Sequence, residues 1–264
     1  MTICAAVPEV PLRAVLFDFF GTLTTAVRRG PRHAAIARSL GCRPHEFSAV
    51  LDRTFYQRAS GRCGDPVDVL AEIAAGLGAH PTRARLRAAV MARVVAVLAD
   101  VTLRPDATRV LRELRKRGLR IAVVSDCWYE LPRFLPTLPI EPLVDGHVYS
   151  SEVGRCKPDP ALYLTACAQL RVDPRECLYV GDGGSQELSG ARRVGMAAVR
   201  VAAADLADHL VFNAEQHWAG ATVGSLTDVL AFVERQCGRG AQAGWRSAPS
   251  AGVYETRSIR SACR

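Results

Sequence analysis

The sequence predicts an α/β protein with a doubly wound parallel sheet and an inserted α-helical cap, and three observations lead to this fold class. Short apolar runs alternate with amphipathic helical segments, as they do in successive strand–helix–strand units. The apolar runs are continuous, which is typical of parallel strands that are covered on both faces. One long interval, from Ala26 to Asp100, contains helical patterns but no strand pattern.

The first predicted strand is RAVLFD at residues 13–18, and four helices are predicted in the interval after it, at residues 32–40, 44–60, 65–77 and 81–100. Proline and glycine stand at the boundaries of these helices, where helix starts and stops are expected. Helices and strands then alternate along the rest of the chain. The later helices are predicted at residues 105–118, 159–170, 187–195 and 225–236, and the later strands at residues 119–126, 142–151, 176–182 and 196–201.

This order of elements divides the chain into a core, a cap and a tail. Residues 12–25 and 99–237 are predicted to form the α/β core, and residues 26–98 are predicted to form the helical cap. Ligands of open α/β sheets bind beyond the carboxyl ends of the strands, so an insert at that edge would cover the site as a lid. Residues 238–264 are rich in Gly, Ala, Ser and Arg without a hydrophobic period, which predicts a basic, disordered tail.

The composition is ordinary for a soluble globular protein, with 49% hydrophobic and 23% charged residues. No apolar run reaches the ~18 residues of a membrane-spanning helix, and no basic region precedes an apolar core at the start, so neither membrane insertion nor secretion is expected. The nine cysteines include no CxxC pair, which favours a reducing cytoplasm. The net charge of +8 comes almost entirely from arginine, and without a nucleic-acid-binding signature no nucleic-acid partner is expected.

Polar residues stand where the predicted strands end. Asp18 follows the first strand, Ser125 and Asp126 follow the second, Asp182 follows the strand LYVG, and Lys157 precedes the helix DPALY. The carboxyl ends of parallel strands share one edge of a sheet, so these side chains should meet in one crevice. A carboxylate can attack phosphorus, a divalent cation can screen the charges, and Ser and Lys can hold phosphoryl oxygens. The set therefore suits phosphate ester chemistry.

Four segments carry a resemblance to a known family. DFFGTLT, VVS, CKPDP and VGDGGSQE lie in this order along the chain, and the helical interval follows the first of them. In order and spacing they resemble the four motifs of the haloacid dehalogenase (HAD) superfamily of hydrolases, and the resemblance covers nearly all of residues 12–237. It implies a Rossmann-like core, a helical cap after the first motif, and hydrolysis of a small-molecule substrate that is usually phosphorylated.

The resemblance also implies roles for the residues that match the motifs. Asp18 would be the nucleophile, and Ser125 and Lys157 would act as catalytic contacts to the phosphoryl group. Gly21 and Thr22, in the turn after Asp18, would belong to the substrate-binding residues.

A Mg²⁺ cofactor is implied in the same way. Its ligands would be Asp18, Asp182 and the backbone carbonyl of Phe20. Glu187 would be an auxiliary acidic group, acting through water or by orienting Lys157. Mg²⁺ prefers few carboxylates together with water, which fits this sparse set of ligands.

Phe20 departs from the phosphatase pattern, because the family's phosphatases usually have a second Asp there. That Asp protonates the leaving group, and such general acid–base help is worth about 10²–10⁴-fold in rate.

Three readings of the function stay open. The first is a Mg²⁺-dependent phosphohydrolase that acts on a good leaving group, such as an anhydride. The second is a metal-free 2-haloacid dehalogenase, whose branch has an aromatic residue here but lacks the Asp matching Asp182 and has Asn where this chain has Asp126. The third is a catalytically weak binding or regulatory protein.

A phosphonatase is excluded, because its cap lysine forms a Schiff base and residues 24–103 contain no lysine. The substrate and the oligomeric state are not predicted. Arg28, Arg29, Arg32 and His33 lie near the predicted hinge, where they would face either the site or solvent.

Overall fold

The computed structural model describes residues 10–243 and contains a six-stranded parallel sheet. The strands are β1 Ala14–Phe17, β2 Arg120–Ser125, β3 Gly146–Tyr149, β4 Cys177–Gly181, β5 Ala197–Val201 and β6 Ala221–Val223. Their order across the sheet is β3-β2-β1-β4-β5-β6, and every neighbouring pair is parallel. This doubly wound order confirms the predicted fold class and puts the change of winding direction between β1 and β4.

Helices cover both faces of the sheet and form a separate group between β1 and β2. They are α1 Pro31–Ser39, α2 Pro44–Arg53, α3 Phe55–Ala59, α4 Pro66–Gly76, α5 Arg83–Asp100, α6 Ala107–Lys116, α7 Glu130–Phe134, α8 Ser150–Val153, α9 Pro160–Leu170, α10 Glu187–Arg193 and α11 Leu226–Ala243. None of the helices in this part of the chain is both long and apolar enough to cross a membrane.

The sheet is buried on both faces, as its continuous apolar strands predict. In β1, Val15 and Phe17 pack into a cluster with α6 and α11, whereas Ala14 and Leu16 pack into a second cluster with α9 and α10. Alternate residues of a strand point to opposite faces, so one four-residue strand supplies both clusters. The two layers of helices leave the carboxyl edge of the sheet as the place for a crevice.

Helices α1, α2, α4 and α5 form most of a third hydrophobic cluster, which Trp128 of the core joins. Helices α4 and α5 begin at side-chain caps, where Asp65 accepts a hydrogen bond from the Val67 backbone and Thr82 from the Arg85 backbone. The two connections to the core meet in an antiparallel bridge between Thr24 and Leu103. The helical insert therefore leaves and re-enters the core at one narrow neck beside the end of β1.

The structure corrects the prediction of one helix over residues 44–60. Helix α2 ends at Arg53 and α3 begins at Phe55, with Thr54 between them at φ −101° and ψ 14°. The Thr54 hydroxyl donates to the Val50 carbonyl at 2.7 Å. A threonine hydroxyl that bonds to the preceding turn competes with the backbone ladder and bends a helix. The break turns α3 toward the core.

Other elements differ from the prediction at the edges of the fold. The short strand β6 and the short helix α7 were not predicted, because three and five residues are too few to show a hydrophobic period. Helix α11 continues to Ala243, so residues 238–243 are helical and do not belong to the predicted disordered tail. The rest of that predicted tail, residues 244–264, lies outside the described residues.

Candidate active site

The crevice lies at the change of winding direction between β1 and β4. Asp18 is the first residue after β1, and its backbone N–H donates to the Val180 carbonyl of β4 at 2.9 Å. Asp182 stands directly after β4. The two neighbouring strands thus end in carboxylates, and both residues line the same cavity.

Lys157 reaches into this crevice from the loop before α9. Its Nζ donates to Asp18 Oδ1 at 2.6 Å and to Glu187 Oε2 at 2.5 Å, and it lies 3.4 Å from the Tyr179 hydroxyl. Asp18, Lys157 and Glu187 are all buried. The structure therefore brings together three of the residues that the motifs predicted, around one ammonium group.

Glu187 is the most deeply held of these groups. Its Oε1 accepts from the Gly183 backbone N–H at 3.0 Å, and its Oε2 accepts from the Tyr179 hydroxyl at 2.8 Å. Gly181 makes room for this carboxylate, because a Cβ atom there would lie 2.0 Å from Oε1. These contacts hold the Glu187 carboxylate against the Lys157 ammonium group.

Burial dominates the electrostatics of the crevice. It raises the pKa of Asp18 to about 7, with the Lys157 charge opposing it and the Glu187 charge adding to it. Burial likewise raises the pKa of Glu187 to about 7 and raises the pKa of Asp182. For Lys157 burial works against the charged form, but Asp18 and Glu187 outweigh it and hold its pKa well above the usual range. One cation therefore stands against three carboxylates.

The oxygen atoms of this cluster fit a hard divalent cation. One carboxylate oxygen from each of Asp18, Asp182 and Glu187 lies within 4.8 Å of the others. Oxygen donors and a surplus of negative charge are what Mg²⁺ requires. Because Lys157 already contacts Asp18 and Glu187, Asp182 is the carboxylate of the set without an ammonium partner among residues 10–243.

His209 lies beside the predicted backbone ligand of this cation and was not found from the sequence. Burial lowers the pKa of His209, while the Asp18 charge and a hydrogen bond to the Phe20 backbone oppose that shift. Its Nδ1 accepts from the Val27 backbone N–H at 2.9 Å, so its ring proton is on Nε2, which lies 3.6 Å from Asp182 Oδ2. His209 therefore lies beside two of the predicted ligands of the cation, Asp182 and the Phe20 carbonyl.

Gly21 and Thr22, predicted as substrate-binding residues, do not line the cavity. The Gly21 N–H donates to the Thr24 hydroxyl at 2.9 Å, and Gly21 has a φ of +79°, which favours glycine. Buried Arg104 donates to the Gly21 carbonyl at 2.8 Å and to the Thr22 carbonyl at 3.0 Å. In this structure both residues shape the turn that follows Asp18.

Ser125 and Asp126 end β2 on the other side of β1. Ser125 is fully buried, and its hydroxyl has no hydrogen-bond partner in the described part of the chain. Asp126 is buried as well. Its Oδ1 accepts from the Lys157 backbone N–H at 2.9 Å, and its Oδ2, also without a partner there, belongs to a residue of the cavity wall. Asp126 therefore anchors the loop that carries Lys157.

Phe20 forms part of the wall of the cavity between the core and the helical insert, which has a volume of about 170 Å³. Its ring meets that of Phe19 edge to face, with centroids 5.0 Å apart. A phenyl ring offers no exchangeable proton at the position where a phosphatase would carry an acid. Phe20 thus contributes an apolar surface to the wall on the core side.

The helical insert contacts the core through α3 and closes the cavity. Phe55 stacks on Phe212 with ring centroids 4.0 Å apart, and the Tyr56 hydroxyl lies 3.0 Å from the Ser185 hydroxyl. Ser185 has a φ of +54°, a left-handed conformation that is uncommon outside glycine and is often found at functional sites. The sequence contains no signal for these contacts, because Phe55 and Tyr56 belong to a segment with an ordinary amphipathic helical pattern.

The hinge residues have different environments. Arg29 forms an ion pair with Asp52, and His33 Nε2 lies 2.7 Å from Asp100 Oδ2. Arg29 and His33 both line the cavity, whereas Arg32 is exposed. Two of the four hinge candidates therefore face the site, and each of these two already has an acidic partner.

Comparisons with known proteins agree with this geometry. The chain is 33% identical over 130 residues to glyceraldehyde 3-phosphate phosphatase of Methanopyrus kandleri, which is 47% of this chain and 54% of that protein. The chain thus spans about half the length of that relative. It is 25% identical over 197 residues to (S)-2-haloacid dehalogenase 4A of Burkholderia cepacia, covering 72% of this chain and 83% of that protein.

The fold is shared with L-2-haloacid dehalogenase from Xanthobacter autotrophicus, solved with chloropropionic acid covalently bound. The TM-score is 0.59 and the identity 22%, over 84% of this chain and 98% of that one. A family model for haloacid dehalogenase-like hydrolases matches residues 12–195. With the parallel sheet, the insert after β1 and residues of the first, third and fourth motifs around one crevice, this match shows that the chain belongs to the haloacid dehalogenase-like hydrolase family.

Proposed function

We propose that the protein is a Mg²⁺-dependent phosphohydrolase that cleaves a phosphate ester or anhydride through an aspartyl-phosphate at Asp18. The observation that carries this proposal is the cluster of three carboxylates beside Lys157, in which Asp182 has no ammonium or guanidinium partner in the described chain and faces the His209 ring at 3.6 Å. A metal-free dehalogenase has no need of a carboxylate at that place. The surplus negative charge favours a reaction in which a cation and a phosphoryl group enter together.

The chemistry begins at the Asp18 carboxylate. One of its oxygens attacks phosphorus, the bond from phosphorus to the leaving oxygen breaks, and that oxygen takes the electron pair. Water then attacks phosphorus, which releases inorganic phosphate and restores the carboxylate. Lys157 fixes Asp18 through Oδ1, and Glu187 in turn fixes Lys157. This chain of contacts orients the nucleophile before the substrate arrives.

The residues that would hold Mg²⁺ are Asp18 and Asp182, together with the backbone carbonyl of Phe20. The ion would screen the repulsion between carboxylate and phosphate and stabilise the charge that develops on the phosphoryl oxygens. The Asp126 anchor keeps the Lys157 loop in place during the same steps.

Phe20 limits the leaving group, because it cannot deliver a proton. A phosphoanhydride, an acyl phosphate or an aryl phosphate with an acidic phenol leaves as a stable anion and requires less acid. An alkyl alkoxide requires a proton. The preferred substrate class is therefore a phosphate compound with a weakly basic leaving group.

A 2-haloacid dehalogenase is the second candidate, and the aromatic wall at Phe20 is the observation that favours it. In that reaction Asp18 would attack carbon, and the carbon–halogen bond would break with halide taking the electron pair. Halide needs no proton, so Phe20 is no handicap. The alignment with the Burkholderia dehalogenase is also longer than that with the Methanopyrus phosphatase.

A leaving-group series separates these candidates. Acetyl phosphate, 4-nitrophenyl phosphate, phenyl phosphate and an alkyl phosphate are each offered with Mg²⁺ and with chelator, and 2-chloropropionate is offered with chelator. We expect Mg²⁺-dependent turnover that falls by at least ~100-fold from the activated to the alkyl phosphates. Haloacid turnover in chelator, without phosphate turnover, would establish the dehalogenase.

Two other outcomes are informative. Similar rates on alkyl and activated phosphates would mean that another group supplies the proton, and Asp126→Asn would test the carboxyl group of the cavity wall whose Oδ2 has no partner within residues 10–243. No turnover of any compound by a folded protein would favour a binding or regulatory role. Asp18→Asn is the control for every activity in the series.

A further inference from the structure

Two arginines of the helical insert share one tryptophan at the far wall of the cavity. The Arg58 guanidinium lies 4.9 Å from the centre of the Trp128 ring, and the Arg93 guanidinium lies 5.6 Å from it. Both arginines are more than nine-tenths buried, at 5% and 6% exposure, and both line the cavity. Two buried positive charges thus lie on one indole.

The two guanidinium groups differ in their partners. Arg93 donates from Nε at 2.9 Å and from Nη2 at 2.6 Å to Glu130 Oε1. Arg58 donates to the Leu51 carbonyl and to the Thr54 hydroxyl, at 3.3 Å for the hydroxyl, and both acceptors are neutral. Within residues 10–243 no carboxylate lies at ion-pairing distance from Arg58. The Glu130 carboxylate is therefore the counter-charge for two buried guanidinium groups, and it is hydrogen-bonded to Arg93.

A buried cation without a counter-ion is costly for the fold, since removal from water is not repaid by an opposite charge. Arg58 shows this electrostatic cost, because burial, reinforced by the Arg93 charge, lowers the pKa of its guanidinium group to about 10. A guanidinium matches the two oxygens of a carboxylate or a phosphate and binds them side by side. An anion that enters the cavity would supply the missing charge.

The surfaces around the cavity indicate the rest of such a ligand. The Phe55–Phe212 stack, Phe20, Leu131 and Trp128 all contribute to the wall. These side chains present rings and aliphatic carbon to the same cavity that Asp18 and the two arginines line. An apolar or aromatic body would fill this space and exclude water from both ends.

We infer that Arg58 forms a second anion subsite, and that the substrate carries a carboxylate or second phosphate on an apolar body, apart from the group attacked at Asp18. The reacting group rests on the proposed function, whereas the subsite itself does not. Anion recognition in the insert would explain why an uncompensated guanidinium is kept in a buried wall.

Binding of benzoate tests the subsite without any turnover. Benzoate and neutral benzyl alcohol are titrated into the full chain by calorimetry, and we expect benzoate to bind more tightly. Arg58→Met should weaken benzoate binding by about 10- to 100-fold, the range for hydrogen bonds to charged groups, and leave benzyl alcohol unchanged. Arg53→Met, an exposed arginine at the end of α2, is the matched control and should change neither.

Arg58→Lys keeps the charge and loses the planar fork, so it should retain part of the benzoate affinity. This variant also decides the question if Arg58→Met fails to fold, because a several-fold loss in a folded Lys variant supports the subsite. Equal benzoate affinity in the natural protein and in the folded Arg58 variants would overturn it.

Turnover connects the subsite with the reaction. We expect the natural protein to prefer 4-carboxyphenyl phosphate to phenyl phosphate in kcat/KM, and Arg58→Met to abolish this preference. 1,4-Phenylene bisphosphate, bound to Asp18→Asn, shows whether a second phosphate binds at the subsite as well as a carboxylate does.

If no phosphate is hydrolysed but benzoate binding depends on Arg58, the proposed function fails and the subsite stands. If both aryl phosphates lose the same factor in Arg58→Met, the subsite fails and the function stands.

Discussion

The two ends of the cavity are charged in opposite ways. At the carboxyl edge of the sheet, Lys157 stands against the carboxylates of Asp18, Glu187 and Asp182. At the insert end, the core residue Glu130 stands against the guanidinium groups of Arg93 and Arg58 from the insert. Both sets are buried, so neither imbalance is relieved by solvent. The core end therefore lacks a cation and the insert end lacks an anion.

This difference fits the two proposals made above for the ligand of the cavity. A divalent cation would restore the balance at the core end, and an anionic group of the substrate would restore it at the insert end. The two ends also differ in origin. The core end consists of recognisable motifs, whereas the insert end consists of arginines on ordinary amphipathic helices.

The largest effect is expected from Asp18→Asn. An amide oxygen is a poor nucleophile, so turnover of the best substrate should fall by at least ~10³-fold. The same change removes one of three clustered carboxylates, so the free energy of unfolding should stay within about 1 kcal/mol of its original value. Steady-state kinetics and urea unfolding measure the two quantities. A loss of stability parallel to the loss of activity would contradict the surplus of negative charge at the core end.

Lys157→Met breaks the balance at the core end. It leaves Asp18 and Glu187 buried without a cation, and the free energy of unfolding should fall by about 3–5 kcal/mol at neutral pH. Lys116→Met is the natural control, since Lys116 is the other lysine of the chain and is exposed. Urea unfolding of both variants measures the difference. Equal stability of the two would show that the Lys157 contacts are not formed.

Arg93→Met and Arg58→Met compare two buried cations over one indole. Loss of Arg93 leaves Glu130 buried and unpaired, and should lower the free energy of unfolding by about 3 kcal/mol. Loss of Arg58 removes an uncompensated charge together with two neutral hydrogen bonds, so the change should stay within about 1 kcal/mol. Chemical denaturation without ligand measures both. An equal loss would mean that Arg58 is balanced by a group in the fold.

Phe20→Asp tests what limits the core end. A carboxyl group there could donate the missing proton, and alkyl phosphate turnover should rise by up to ~10²-fold. Desolvation beside the apolar wall would keep the new group partly protonated and reduce the gain. The comparison of alkyl with 4-nitrophenyl phosphate is the measurement, because only the alkyl substrate should gain. Phe20→Ala controls for the loss of the ring.

Tyr56→Phe should have the smallest effect. It removes the hydroxyl contact between α3 and Ser185, which is worth about 0.5–1.5 kcal/mol, and leaves the Phe55–Phe212 stack in place. The KM of the best substrate should rise less than about tenfold, while kcat is retained. A large fall in kcat would give Tyr56 a direct role at the core end.

The sequence alone determined the fold class, the order of most elements and the four segments that surround the crevice. Continuous apolar strands and helical periods report local burial, and this information is present in neighbouring residues. Asp18, Lys157 and Asp182 were found because parallel strands must end at one edge. The features that were missed include β6, α7 and the break at Thr54, which depend on three residues, on five residues and on one hydroxyl contact.

The tertiary structure decided which charges have partners. Lys157 and Asp18 are 139 residues apart in sequence, and Arg93 and Glu130 are 37 apart, so no local pattern records their pairing. It also placed His209 beside the Phe20 carbonyl and left Arg58 with neutral acceptors over Trp128. Burial strengthens every charge interaction by removing water, and burial of a polar side chain follows from the packing of distant elements. The sequence shows which charged residues the chain contains. Which of them have a counter-charge nearby is decided only when the chain folds.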